Sequence, residues 1–500
     1  MSTLTIAHLR ETLAEIHDLN AAMSVLEWDM EVMMPPKGAE ARGEQLATLS
    51  ALRHRLATSS ELDRMLTALE ARASELDSSE ACLVAETRYD FLRATRLPES
   101  FVRRLSEAQS AGYNAWLTAR AESDFPAFRP HLEKLVDLQR EAAELYGYEG
   151  SPYNALLESY ERGMRVEMLR PLFAQLGECQ KNLVARITDQ DMHQRFDWLG
   201  GTWPEDAQRR LSLRVLADMG YDLDAGRLDT APHPFCTHFD IGDVRITSRY
   251  DAHDPFSALF TAMHEGGHAL YDQGLDPEWR RTPLAEAPSL GIHECNSRMW
   301  ENIIGRGRAF WTRYLPALRE AFPGRLDNVT VQQIHEAVNR VEPSLIRVEA
   351  DECTYNLHVI IRFELELQLI EGNLAVADIP DAWNALYKEY LGVDVPDDAH
   401  GCLQDVHWSH GMIGYFPTYA LGNLYSAQMF EAALRDIPGL LDDVASGNLL
   451  TLREWLRQKI HRIGRRMTAP EIVKAATGKD PGAEPYLAYL ESKFGELYAL

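Results

Sequence analysis

Through residues 1–230 apolar side chains recur at intervals of three and four, the period of helices that bury one face. The stretches LRETLAEIHDLNAAMSVLEW, EQLATLSALRHRLAT and LRPLFAQLGECQKNLVARI carry it, and breaks fall at MMPPKG (33–38), FPAFRP (125–130) and LGGTWPE (199–205). Period-two alternation is clearest in HPFCTHFDIGDVRITSRY (233–250), on either side of an IGD turn, which predicts a β-hairpin. An isolated hairpin is marginal in water, so this one is expected to pack on helices, with room for another short strand beside it. Helical patterning then resumes and ends with Thr468-Ala-Pro-Glu471, a capping-box start for the last helical segment. The expected fold class is mainly α with a small β-hairpin or sheet. Length alone, 500 residues, admits roughly three domains. The lack of a repeat or a low-complexity linker favours one domain over 1–500, with a helical N-terminal part (1–230) and a catalytic part (231–500).

The chain carries Asp+Glu 76 against Lys+Arg 50, a formal charge of −26, and no long basic stripe offsets it. A nucleic-acid partner is therefore not expected, and the acidity reads as solubility. The first twenty residues form an amphipathic, charged pattern without the apolar run of a signal peptide. The most apolar segment, LHVIIRF, is too short to cross a bilayer, so no membrane role is expected. Six cysteines without a CxxC pair read as free thiols in a reducing compartment, the cytoplasm by default.

The stretch TAMHEGGHALYDQG (261–274) carries the chemistry. His264 and His268 share one helical face if the segment is helical, as two imidazoles on one tetrahedral zinc require. Two glycines between them oppose a helix by about 1 kcal/mol each. The flanks decide for the helix: Asp254 is a good N-cap, Pro255 fits the first helical position and Gly274 suits the residue after the end. Glu265 then lies about 100° round, where it can act on a water rather than on the metal. The alternative is a pair of surface histidines. Glu294, in GIHECNSRMWEN, supplies a third candidate ligand, and Glu294, Arg298 and Glu301 share a helical face. Asp272 either orients His268 or is solvated.

Two further clusters are polar. In RVEADECTYNLHVIIR (347–362) Arg347, Asp351, Thr354, Tyr355, His358 and Arg362 fall at helical spacing, a wet surface or the wall of a cleft. In GCLQDVHWSHGMIGYFPTY (401–419) Gln404, Asp405, His407, His410, Tyr415 and Tyr419 stand among glycines, which is atypical of a core.

Taken in order, these motifs resemble the carboxypeptidase Taq family of zinc metallocarboxypeptidases. The resemblance spans the chain: SVLEWDMEVMMPPKGAEARGEQLATLSALRH, HPF (233–235), DVRIT (243–247), HEGGH (264–268), HEC (293–295), IRVEADECTYNLH (346–358) and GCLQDVHW (401–408). It implies a large helical zincin-type fold with a deep groove covered by N-terminal helices, and a homodimer. It also implies one zinc ion held by His264, His268 and Glu294, with Glu265 as general base and acid and cobalt as a substitute metal. Where the family commonly reads His-Glu-Ser-Gln, this chain has His293-Glu294-Cys295-Asn296. The ligand survives and its surroundings differ; the Cys295 thiol beside it is either inert, or open to oxidation or to a second metal ion.

The expected activity is release of single amino acids from peptide C-termini. His407 and Tyr419, with Tyr415 as substitute, are candidate donors to the oxyanion. Arg347 is the first candidate for the substrate carboxylate, with Arg245 and Arg362 behind it; each arginine equally fits a structural ion pair. Tyr355 and His233 are further candidate substrate contacts. The hairpin offers an edge for strand addition or only braces the helix after 254. The rival enzyme reading is an oligoendopeptidase or dipeptidyl carboxypeptidase on a related helical zincin scaffold, and the rival class is a non-catalytic zinc scaffold. Gly267 is expected to keep space clear near the metal, whereas Gly266 has no evident task, so Gly266→Ala is expected to stabilise the chain.

Overall fold

The computed structural model describes residues 5–189 and 196–500. Helices dominate it, as the periodicity predicts. Near the N-terminus Ile6–Val32 stops at the MMPPKG break and is followed by Ala39–Ala57, which packs on it. Ala39–Ala57 buries none of its residues. Leu9 and Leu13 instead join Leu62, Met65, Leu66, Leu69, Leu83 and Val84 in a small core closed by Trp279 and Leu284. The principal core is separate and continuous from Phe101 to Leu497.

The hairpin forms, and a third strand completes it. β1 (Gly226–Thr230), β2 (Cys236–Asp240) and β3 (Asp243–Ser248) make one sheet of order β1-β3-β2, with β1 parallel and β2 antiparallel to β3. Val244 and Ile246 point into the core while Arg245 points the other way, as a period of two requires. There the Arg245 guanidinium lies 4.5 Å from the Trp28 ring centroid and 4.8 Å from that of Phe239, so the first helix lies across this face of the sheet.

β3 leads directly to the helix Ser257–Gln273. Its start differs from the sequence reading by a residue or two. Asp254 Oδ1 accepts from the backbone N–H of Phe256 and Ser257, at 2.8 and 3.2 Å, so Asp254 does organise the entry; Pro255 precedes the helix instead of opening it. At the other end Gly274 keeps right-handed angles (φ −90°, ψ −8°), so a left-handed turn is not why it is glycine. A Cβ there would sit 2.4 Å from His461 Nδ1 and 2.8 Å from Leu270 O; close approach excludes a side chain.

The polar stripe at 347–362 does not belong to a single helix. Arg347–Glu349 is one short turn, and the helix proper is Tyr355–Glu371. Asp351 explains the break: Oδ1 accepts from the N–H of Cys353 and Thr354, and Oδ2 from the Thr354 hydroxyl, a local alternative to helical pairing. Val348 is exposed. The Thr468 capping box forms as expected.

Candidate metal centre and active site

Two helices meet at the HEGGH segment. His264 and His268 lie one turn apart on Ser257–Gln273, and Glu294 faces them from Leu290–Arg298. Glu294 Oε2 lies 3.6 Å from His264 Nε2 and 3.3 Å from His268 Nε2, and one ligand atom from each residue lies within 4.8 Å of the others. A tetrahedral ion with bonds of about 2.05 Å has ligand-to-ligand edges of about 3.3 Å, so this donor set fits zinc.

Neighbouring groups fix each ligand. His264 Nδ1 donates to Glu301 Oε2 at 2.9 Å, which leaves Nε2 with a lone pair facing the site. Burial pushes His268 down to about 4, assisted by His293 and His264, so it is neutral and able to ligate. Arg298 Nε donates to Glu294 Oε1 at 2.6 Å and Ser297 Oγ to Oε2 at 3.0 Å, which hold the carboxylate from behind. After Met299 the return helix winds as a π-helix to Gly305, and this wider turn carries Glu301.

The glycines permit the approach of the helices. A Cβ on Gly267 would lie 2.7 Å from Ser297 Cα and 2.8 Å from Asn296 O, so Gly267 makes room for the return helix. On a third helix, Pro417–Asp436, Gly422 does the same for Glu294, whose Cγ would be 2.5 Å from an added Cβ. Gly266 also has a neighbour: its Cβ would meet a Leu216 methyl at 2.5 Å, which removes the ground for expecting Gly266→Ala to stabilise.

Glu265 is buried among these groups, and among the described residues its carboxylate makes no hydrogen bond. Burial pushes it up to about 7; His264 pulls it down, and Glu294 and Glu301 push it up further. A carboxylate so placed is a ready proton acceptor near neutral pH.

Asp272 neither meets His268 nor is solvated. It is buried, accepts from His293 Nε2 at 3.0 Å and pairs with His238 Nδ1 at 3.3 Å. Burial opposes its ionisation, but His238 and His293 outweigh that and hold it well below the usual carboxylate range. His293 in turn stacks on His268, ring centroids 4.5 Å apart. The altered Cys295-Asn296 pair has its own setting. Cys295 is fully buried and burial raises its thiol, the inert alternative; Asn296 Oδ1 accepts from His461 Nε2 at 2.8 Å.

Part of the 401–419 cluster lies beside this centre, whereas His410 stacks on Tyr113 and Gln404 bonds Arg347 and Arg362. His407, Tyr415 and Tyr419 are half-buried with their rings together: His407 Nε2 is 3.4 Å from the Tyr419 hydroxyl, and Tyr415 and Tyr419 centroids are 5.4 Å apart. Tyr419 stands one turn before Gly422, on the helix against Glu294. Burial and then Arg347 push His407 down to about 3, so its ring is neutral.

Arg347 is almost fully buried. Its Nε donates to Asp405 Oδ1 at 3.0 Å and Nη1 to the Tyr355 hydroxyl at 2.9 Å, while Arg362 takes Asp405 Oδ2 at 2.6 Å. Two guanidiniums thus share one carboxylate and leave a net positive charge. Arg245 spends its fork on Asp243, both contacts 2.8 Å, and His233 lies exposed before β2.

Sequence reasoning missed three supporting carboxylates. Glu301 was visible only as a charge on the Glu294 face. Glu366 lies in a helical pattern and Glu161 in the turn between two helices, both fully buried and neither with a local sign of its partners.

The carboxypeptidase Taq (M32) metallopeptidase family matches residues 8–494, and the chain belongs to it. It is a metallocarboxypeptidase, a peptide hydrolase. Thermostable carboxypeptidase 1 of Thermus thermophilus is 44% identical over 483 residues, 94% of each chain. Carboxypeptidase 1 of Bacillus subtilis is 37% identical over 98% of each. The crystal structure of an M32 carboxypeptidase from Deinococcus radiodurans R1 superposes with a TM-score of 0.97 at 42% identity, covering 99% of both chains.

Proposed function

We propose that the metal is zinc, one ion per chain with cobalt as a substitute, held by His264, His268 and Glu294. The observation that carries this reading is the convergence of three ligand atoms beside the buried, unpaired carboxylate of Glu265. Bound there, zinc supplies a Lewis acid that activates water near neutral pH and polarises the scissile carbonyl. Glu265 takes the proton of the attacking water and returns it to the leaving amine. Tyr419 and His407, with Tyr415 beside them, donate to the oxygen that gains charge. Arg347 and Tyr355 meet the substrate carboxylate through the positive charge left over at Asp405; Arg245 and His233 contact the peptide farther along. The principal core from Phe101 to Leu497, and the small N-terminal core that Trp279 and Leu284 close, support one catalytic domain over 1–500, with residues 1–230 walling the groove and 231–500 carrying the chemistry.

The chain is read as cytoplasmic, which its free cysteines support, and as a homodimer, which sedimentation in solution tests. No helix among the described residues is long and apolar enough to cross a membrane. The deciding experiment digests a peptide series and identifies every product. Single residues leaving only from a free C-terminus, and no cleavage of the C-terminal amide, are expected. Internal cuts or released dipeptides would replace this reading with the oligoendopeptidase or dipeptidyl carboxypeptidase one.

A further inference from the structure

His407 and Tyr415 bracket a turn that opens on one 3-10 turn, His407–His410, and closes through the Met412 N–H on the His407 carbonyl at 2.9 Å. Gly411 (φ 64°) and Gly414 (φ 94°) both lie in the left-handed region that glycine tolerates. The residues just inside the bracket are Trp408 and Gly414, and both reach the same side chain. Glu366, fully buried on Tyr355–Glu371, accepts from Trp408 Nε1 on Oε1 at 2.8 Å and from the Gly414 N–H on Oε2 at 3.0 Å. A third donor comes from outside the turn, the Tyr153 hydroxyl at 2.7 Å from Oε2. One turn earlier on the same helix, Arg362 holds Asp405 at the entry of the segment. Gln109 Nε2 also steadies the His410 carbonyl at 2.9 Å, but among the described residues only Glu366 bonds both ends with one side chain.

We propose that Glu366 is a positioning residue of the peptidase reaction: it latches both ends of the Trp408–Gly414 turn and so fixes where the flanking His407 and Tyr415 side chains stand. This rests on the reading of those two residues as oxyanion donors. A donor must meet the position the charged oxygen will occupy, and a shift of about 1 Å costs on the order of a hundredfold in rate. A carboxylate serves the latch because it only accepts. An amide of the same size would turn a donor toward one of three donors.

The test compares two removals at one carboxylate in the metal-loaded, full-length enzyme. Glu366→Gln is expected to lower kcat by about ten- to a hundredfold with KM and metal content little changed. Tyr153→Phe removes the donor outside the turn; it is expected to lower the thermal midpoint and leave kcat unchanged. If Glu366→Gln does not fold, Trp408→Phe frees one end of the turn and is expected to lower kcat likewise. Combined with Tyr415→Phe, the Glu366→Gln loss should shrink, because the residue being placed is already disabled. Thermal loss without a kcat effect in both Glu366→Gln and Trp408→Phe overturns the latch, as do losses that multiply in the double variant. Wild-type kcat in both His407→Ala and Tyr415→Phe overturns the donor reading itself, and the latch with it.

Discussion

Glu301 Oε2 lies 2.9 Å from His264 Nδ1, and it does so from a π-helical turn, seven residues beyond Glu294. The carboxylate is itself held by Arg298 at 3.5 Å and Arg306 at 3.2 Å. It sets which nitrogen of His264 keeps its proton and so which one is free for the metal. Replacing it with Gln keeps an acceptor but removes the charge. Glu301→Gln is expected to weaken metal affinity by about ten- to a hundredfold, read by competition with a chelator. Undiminished affinity would remove Glu301 from the centre.

Among the described residues Glu265 makes no hydrogen bond to the candidate ligands or to their partners, so its loss should be separable from metal loss. Glu265→Gln is expected to retain stoichiometric metal while kcat falls by about a hundred- to ten-thousandfold. Metal analysis beside a turnover assay checks both halves, and near-normal turnover sinks the assignment.

The two glycines of HEGGH should behave differently. Gly267→Ala meets the backbone of Asn296 and Ser297, which cannot yield without moving the return helix. A loss of about 1–3 kcal/mol is expected in denaturant unfolding of the metal-free protein. Gly266→Ala meets a leucine methyl, and the helix regains about 1 kcal/mol of propensity, so its loss should be smaller. Equal or reversed effects contradict this packing.

Glu161 fastens the start of the return helix. Ser289 Oγ donates to its Oε1 and the Gly291 N–H to its Oε2, each at 3.0 Å, and the Tyr425 hydroxyl also donates to it. Burial pushes its carboxyl up to about 7, above the ordinary 4.5, and the hydrogen bonds only partly offset that. The folded state therefore binds this proton more tightly than the unfolded state. Stability from it is fully present below about 4.5 and is lost as pH rises through about 7, by at most about 3 kcal/mol. Relative to Glu161→Gln, the wild type should lose stability between pH 5 and pH 8. Parallel curves would show that Glu161 does not titrate there.

Arg347→Met should raise KM for free peptides far more than it lowers kcat, because it removes the excess charge beside Asp405. A loss of about tenfold or more in kcat/KM is expected from steady-state kinetics on free peptides, while the affinity of C-terminally amidated peptides, read as inhibition, stays unchanged. Equal weakening for the free and the amidated peptides would assign Arg347 to structure alone.

The grouping of His264, His268 and Glu294 was legible because its logic is local: a spacing of four on one helix, and a carboxylate on the next. The hairpin was legible because a period of two stands out against helices. What could not be read is contact between distant segments. Asp351 ends a polar stripe that looks helical on paper, since its side chain takes the backbone bonds a helix would have used. Asp272 looked like a partner for His268 by spacing, yet β2 delivers His238 to it from another direction. Glu366 is an ordinary letter in a helical pattern and Glu161 in a turn; only the fold surrounds them with donors. Gly267 and Gly422 are likewise defined by the helix that each one faces.

Those two glycines bear on when the site is assembled. With backbone and ligand side chain in contact at Gly267 and Gly422, the spacing of three helices is set by atoms that cannot rotate away. A metal ion held by His264, His268 and Glu294, as proposed, would then find the three side chains already brought together by helix packing. Loading and stripping the metal should be a local, reversible exchange that leaves the surrounding architecture in place.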